Sequence, residues 1–270
     1  MPRHTPSLLN LVYAPVFRWD GSHDDLYEVL AFPFAEANMN LSQGIPAEDA
    51  HATEIPSAQK TLQTRLTKDA PGYVKAYREA FDVDIESLPA AKVWTLTGKA
   101  LAVFLREAVS RNAPFDRYNA GDDSAMGKDA IRGLALFRGK ARCISCHAGP
   151  FLTDFRYHNV SSEPVREDGT RKDEGRFEIS RKETDRGAFL TPGLRSVYET
   201  PPYFHDGSIA GLRPLIAHLT GADARKDPLH DPIFDEVPVL SADEVDDLVA
   251  FLRALSGERV TSLGMPASLP

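Results

Sequence analysis

Apolar positions recur with a helical period wherever the pattern along the chain is clear. From residue 91 to 109, Val93, Thr97, Ala100, Leu101, Phe104, Leu105 and Ala108 share one face while Arg106 and Glu107 fall on the other, which predicts a long amphipathic helix with Trp94 as a core aromatic. Tyr73, Ala76, Tyr77, Ala80 and Phe81 repeat the spacing more briefly behind a Pro71-Gly72 start signal. Ile131, Leu134 and Phe137 predict another helix from Lys128 to Phe137. Near the C-terminus, Ser241 and Glu244 form a capping box ahead of Val245, Leu248, Val249, Leu252 and Leu255, and Gly257 marks the end of that helix.

Two stretches interrupt the pattern. PFDRYNAGDD, residues 114 to 123, predicts a domain junction, which divides the chain into residues 1–120, 121–260 and a tail at 261–270. Residues 161 to 187 carry 15 charged side chains in 27 positions and read as a solvated excursion rather than a docking site. The whole chain has 270 residues, 42% hydrophobic and 26% charged, which suits two modest domains that each bury a core. No apolar run approaches the roughly 18 residues of a membrane span, so none is expected. Thirty-one Lys and Arg against 39 Asp and Glu give a formal charge of −8. That balance lacks the basic footprint of a nucleic-acid or anionic-lipid partner.

The two cysteines of the chain, Cys143 and Cys146, are three positions apart and followed at once by His147. In CISCHAGP both thiols would become thioethers to the vinyl groups of a porphyrin, with the His147 imidazole as the proximal iron ligand of a c-type haem. The rivals are a disulfide, a redox dithiol and half of a zinc site. Zinc would need further ligands at similar spacing, and no other cysteine exists. A thioredoxin-like pair would sit in a parallel sheet, whereas these flanks read as helix and loop. A helix, the haem motif, a long irregular stretch and a terminal amphipathic helix follow one another in the order of a small cytochrome c domain, so the expected fold class is all-α. A Met, Tyr or His across the iron would make an electron-transferring haem, and an empty position one open to peroxide or small gases. The opening MPRHTPSLLN shows no signal peptide, although covalent haem requires export.

The motifs TPSLLN (5–10), WDG (19–21), ALAVFLREAVS with PFDRY (100–118) and GLALF with CISCH (133–147) resemble those of bacterial di-haem cytochrome c peroxidases and the MauG-like enzymes. FLTDFRYHN (151–159), TPGLRSV (191–197), PPYFHDG (201–207) and LVAFLRAL (248–255) continue the resemblance in order, so it covers nearly the whole chain. It implies two cytochrome c domains, the C-terminal haem relaying electrons to an N-terminal haem that reduces peroxide. Residues 1–120 then correspond to the first domain without its haem motif, and 121–260 to a complete second domain. The sequence is expected to be truncated, with a true one-haem descendant as the competing explanation. By this resemblance one covalent c-type haem is expected here and two in the full family member.

The resemblance also implies roles for single residues. Trp19 matches the tryptophan between the two haems that relays electrons. Pro33 matches a proline of the first-haem pocket, and Asn38, before Met39, stands where the family has its catalytic acid. An amide cannot shuttle the proton that O–O cleavage requires; Glu36 is the neighbouring carboxylate, and Val29 replaces a glutamine of MauG-like members. At the C-terminal haem the distal ligand position falls on Leu219, which cannot bind iron, with His218 one helical step of about 100° away. Arg195 matches an arginine near the haem propionates, and His205 reads as structural. The family's calcium site would here use His4, a poor ligand for a hard cation, with carbonyls from Leu190 to Pro192. The implied protein is a periplasmic oxidoreductase that reduces hydrogen peroxide with electrons from a small cytochrome c or cupredoxin, and homodimerisation is admitted. MauG-like oxidation of a partner protein's side chain is the alternative within enzymes. A one-haem electron carrier or gas sensor is the alternative outside them.

Overall fold

The computed structural model describes residues 3–34 and 50–258, and the elements among them are helices with two short strands. The described residues form two compact units, one of 23–34 with 50–107 and one of 3–22 with 108–258. In the smaller unit, α1 (Leu26–Ala31) starts at Asp25, whose carboxylate accepts the Tyr27 and Glu28 amides at 2.7 and 3.0 Å. It is followed by α2 (Ala50–Thr64), α3 (Gly72–Phe81) and α4 (Ala90–Leu105). A Cβ on Gly98 would lie 2.3 Å from the Tyr27 carbonyl oxygen, so α1 meets α4 backbone to backbone there. Trp94 is buried with Ala31, Ala58 and Leu62, and the Tyr77 hydroxyl bonds that of Thr97 at 2.6 Å. The long helix is where its pattern predicts, but its buried arc is rotated. Leu96, Gly98 and Ala102 are inside, whereas Ala100 is exposed and Phe104 is 51% exposed. The helix is apolar on nearly every side, so periodicity alone does not select the arc that α1 and α2 cover.

The larger unit contains α5 (Pro114–Asn119), α6 (Lys128–Arg138), α7 (Phe177–Ser180), α8 (Leu212–Thr220) and α9 (Ala242–Ala254). Its capping box at Ser241 and Glu244 makes both reciprocal bonds. Helices α6 and α9 cross at Gly133, where a Cβ would meet the Asp247 carbonyl oxygen at 1.9 Å and Phe251 Cβ at 2.8 Å. Leu134, Phe137, Leu248, Phe251 and Leu252 are buried around the crossing. Gly133→Ala should therefore force the two backbones apart and cost about 2–3 kcal/mol, lowering the melting temperature on the order of 5–10 °C. Thermal unfolding checks this, and an unchanged midpoint would show that the crossing has slack.

The compact units differ from the expected domains: residues 114–123 and residues 3–22 lie in the larger unit, whereas the sequence pattern places the junction at 114–123 and groups 3–22 with 23–120. Asn10 donates its amide to the Ala108 carbonyl at 2.9 Å, the Ser110 and Ser196 hydroxyls bond at 2.7 Å, and Leu190 donates to the Trp19 carbonyl at 2.8 Å. These long-range bonds tie both segments to the C-terminal fold. Pro114 occupies the first turn of α5, where its missing N–H costs nothing, so the apparent break is a helix start. The tail at 261–270 lies outside the described residues.

The charged stretch 161–187 is not simply solvated. Arg171 and Asp227 are buried against one another, and Asn159 donates to the same carboxylate at 2.9 Å. The stretch is pinned by β1 (Tyr157–His158), which pairs antiparallel with β2 (Phe189–Leu190), opposing His158 to Phe189.

Candidate haem site

Cys143–Ser145 forms a single tight helical turn, entered through Arg142 at φ 52°. His147 donates its amide to the Cys143 carbonyl at 2.9 Å, so the imidazole and both thiols leave one turn of chain. His147 Nδ1 lies 2.9 Å from the Leu152 carbonyl oxygen. A carbonyl can only accept, so Nδ1 carries the proton and Nε2 keeps a lone pair. The returning strand of chain holds that carbonyl in place: Thr153 donates to the Ala148 carbonyl and Asp154 to the Cys146 carbonyl, both at 2.9 Å. Burial holds the His147 imidazole below its ordinary value, which keeps the ring neutral. Burial also pushes the Cys143 thiol up to about 12, and the two sulfurs are not bonded to one another. A nucleophilic redox pair needs a depressed thiol, so that rival reading has no support here.

The motif lines a cavity of about 520 Å³ whose other walls include Phe137, Leu194, Leu212, Ile216 and Leu252. Two thiols on one turn, a neutral imidazole with a free lone pair and an apolar cavity far larger than an ion fit a covalently attached haem. Leu219 also lines the cavity. His218 instead places Nε2 3.0 Å from the Val160 carbonyl and meets the Phe204 ring edge-on. Trp19 donates its indole N–H to the His4 carbonyl at 2.7 Å, and its ring borders both this cavity and a smaller one of about 130 Å³.

Arg195 borders the smaller cavity and forms a two-pronged pair with Asp116 at 2.8 and 2.9 Å, with Nε on the Pro150 carbonyl. Its fork is thus engaged by a carboxylate of the protein itself. Pro33 sits in the short turn Phe32–Phe34 of the smaller unit, with Val29 on α1. Asn38, Glu36 and Met39 lie outside the described residues. At the expected calcium position, the Thr191 carbonyl accepts the Thr153 hydroxyl at 2.7 Å and the His4 amide donates to the His205 carbonyl.

Sequence reasoning missed His158. Its Nδ1 is 2.5 Å from Asp231 and its Nε2 2.9 Å from Asp154, and it lines the haem-sized cavity. The neighbouring Cys146 thiol, with Asp231 and Asp154 after it, pushes this imidazole up to about 10. The FRYHN motif contains the residue, but the pairing with Asp231 spans 73 positions and leaves no local signal.

The chain resembles known proteins along most of its length. Residues 1–124 match the family model described as di-haem cytochrome c peroxidase. The chain is 36% identical over 260 residues to methylamine utilization protein MauG of Methylorubrum extorquens, covering 96% of this chain and 65% of that protein. It is 30% identical to cytochrome c551 peroxidase of Pseudomonas aeruginosa, covering 99% of this chain and 69% of that one. The crystal structure of the diheme peroxidase BthA from Burkholderia thailandensis shares the fold with a TM-score of 0.70 at 23% identity, covering 100% of this chain and 77% of that chain. The chain therefore spans slightly less than two thirds of the MauG relative's length. With the haem motif at the wall of an apolar cavity and these relatives along nearly its whole length, the chain belongs to the di-haem cytochrome c peroxidase and MauG-like family.

Proposed function

We propose that the larger unit holds one covalent c-type haem and that the protein serves the reduction of hydrogen peroxide in the periplasm, with electrons from a small cytochrome c or cupredoxin. The observation that carries this reading is the His147 imidazole, fixed by Leu152 with Nε2 free on the turn that presents both thiols to the cavity. When bound, the haem supplies one-electron exchange and an iron that a small oxidant can reach where no side chain ligates it.

The chain's own residues do the rest. Each thiol of Cys143 and Cys146 would add its S–H across one vinyl group and so hold the cofactor without loss of atoms. The Leu152 carbonyl, by accepting from Nδ1, holds the His147 ring in place and makes Nε2 a better donor. Leu219, on the cavity wall, offers nothing to a metal, which supports a haem accessible to peroxide. Trp19 forms part of the same wall and is suited to pass electrons through it, since the indole is the largest polarisable group there. Each peroxide takes two electrons and two protons and gives two waters. Among the described residues no helix is long and apolar enough to cross a membrane, which is consistent with a periplasmic location.

The 36% identity to a methylamine utilization protein supports a second reading, oxidation of a side chain in a partner protein. Haem-loaded protein mixed with a reduced small cytochrome and peroxide separates the readings. Peroxide-dependent oxidation of about two donor molecules per peroxide is expected, as the electron balance requires. If peroxide changes neither the haem spectrum nor the donor, the peroxidase reading fails and an electron carrier remains.

A further inference from the structure

His205 is 1% exposed and stacks flat on Phe189, with ring centroids 3.7 Å apart and planes 10° from parallel. Its Nδ1 lies 3.3 Å from the Ser162 hydroxyl, whereas its Nε2 is buried with no hydrogen-bond partner. An orphaned ring nitrogen in such a place needs an explanation. The Glu163 carboxylate, itself 9% exposed, stands 3.3 Å away without making a hydrogen bond to it. Asp206 adds an exposed carboxylate whose oxygen lies within 4.8 Å of the other two ligand atoms. Asp173 is 4.0 Å from Nε2, but its oxygens are taken by Arg3 at 2.6 and 2.8 Å.

We propose that His205, Glu163 and Asp206 bind one zinc ion, at a site separate from the haem motif. Zinc takes imidazole and carboxylate ligands at about 2.0–2.1 Å in a tetrahedron, which places neighbouring ligand atoms about 3.3 Å apart. The Nε2 to Glu163 oxygen separation already has that length. No hydrogen bond is made across this gap, which suits a shared ion. Asp206, being exposed, can close the remaining distance by side-chain rotation. The charges balance: two carboxylates and a neutral imidazole offset a divalent ion. The Ser162 hydroxyl, 3.3 Å from Nδ1, stands where the outer partner of a metal-bound histidine would sit. A mixed nitrogen and oxygen set with no sulfur and three protein ligands favours zinc over calcium or magnesium, which take oxygen alone. The site would join the charged stretch 161–187 to the HDG turn.

The test uses haem-loaded protein, stripped of loose metal with a chelator and titrated with zinc chloride by calorimetry. One zinc per chain should survive gel filtration, and its X-ray absorption should show nitrogen and oxygen at about 2.0 Å without sulfur. Glu163→Gln should weaken zinc binding by more than about 100-fold, beyond the 10- to 100-fold effect of losing an outer partner. Asp206→Asn, an exposed change that leaves the fold intact, should weaken it by about 10-fold or more. Failure to retain zinc, or unchanged affinity in Asp206→Asn, would overturn the proposal. A sulfur shell at about 2.3 Å would also overturn it, because it would place the ion at the cluster of Cys146, Asp154 and His158. None of these readouts depends on peroxide turnover, so the site stands or falls apart from the proposed activity.

Discussion

Changing Cys143 and Cys146 together to alanine is expected to take the haem that stays with the denatured chain from about one per polypeptide to none. No other cysteine exists to substitute for either sulfur. The loss should be complete because both covalent links leave the same turn, and a haem held by His147 alone is released when the cavity unfolds. Each single variant keeps one possible thioether and should retain part of the bound haem. The fold should tolerate the change, since Cys143 only borders the core of the larger unit and alanine removes one sulfur atom. His147→Ala separates attachment from ligation: haem should remain on the denatured chain while the native spectrum loses its imidazole ligand. Haem-stained denaturing gels and absorption spectra measure both. Covalent haem in the double variant, or none in the parent, would refute the assignment of the motif.

The motif is readable in the sequence because three residues within five positions would carry the whole attachment chemistry. The terminal helix was readable for a similar reason, its capping box and apolar stripe being local and both observed. What the sequence did not show depends on pairing across distance. The buried arc of α4 is set by where α1 crosses Gly98, a contact spanning 71 positions between Tyr27 and Gly98. Residues 3–22 belong with the larger unit because Trp19 and His4 bond to segments more than 150 residues later. His158 and His205 look like ordinary histidines in the sequence, because Asp231, Glu163 and Phe189 reach them only through the fold.

Asp227→Ala should destabilise the larger unit by about 3–5 kcal/mol, because it removes the two-pronged partner of the buried Arg171 guanidinium and leaves it only Glu174 at 3.7 Å. The side chains are 2% and 1% exposed, and Arg171 Nε donates to Asp227 at 2.7 Å beside a second, shorter contact from its other prong. Asn159 at 2.9 Å and the Leu229 amide at 2.8 Å fill the remaining acceptor positions of the carboxylate. The Arg171 fork and the Leu229 amide would lose their acceptor at once, leaving the guanidinium only the Glu174 carboxylate at 3.7 Å, while Asn159 would keep its bond to the Arg186 carbonyl at 3.1 Å. The pH dependence follows from the carboxyl itself. Burial pushes it up, but the Arg171 hydrogen bond and then Asn159 outweigh burial and hold it below its ordinary value. A carboxyl depressed in the folded state contributes stability above its unfolded value of about 3.9 and loses it as pH falls further. The gap between parent and variant should therefore be widest near neutral pH and shrink below about pH 4. Urea unfolding at pH 7 and pH 3.5 measures both quantities. A loss under about 1 kcal/mol at neutral pH would mean that the pair is solvated like a surface ion pair, as the charge density of 161–187 had suggested.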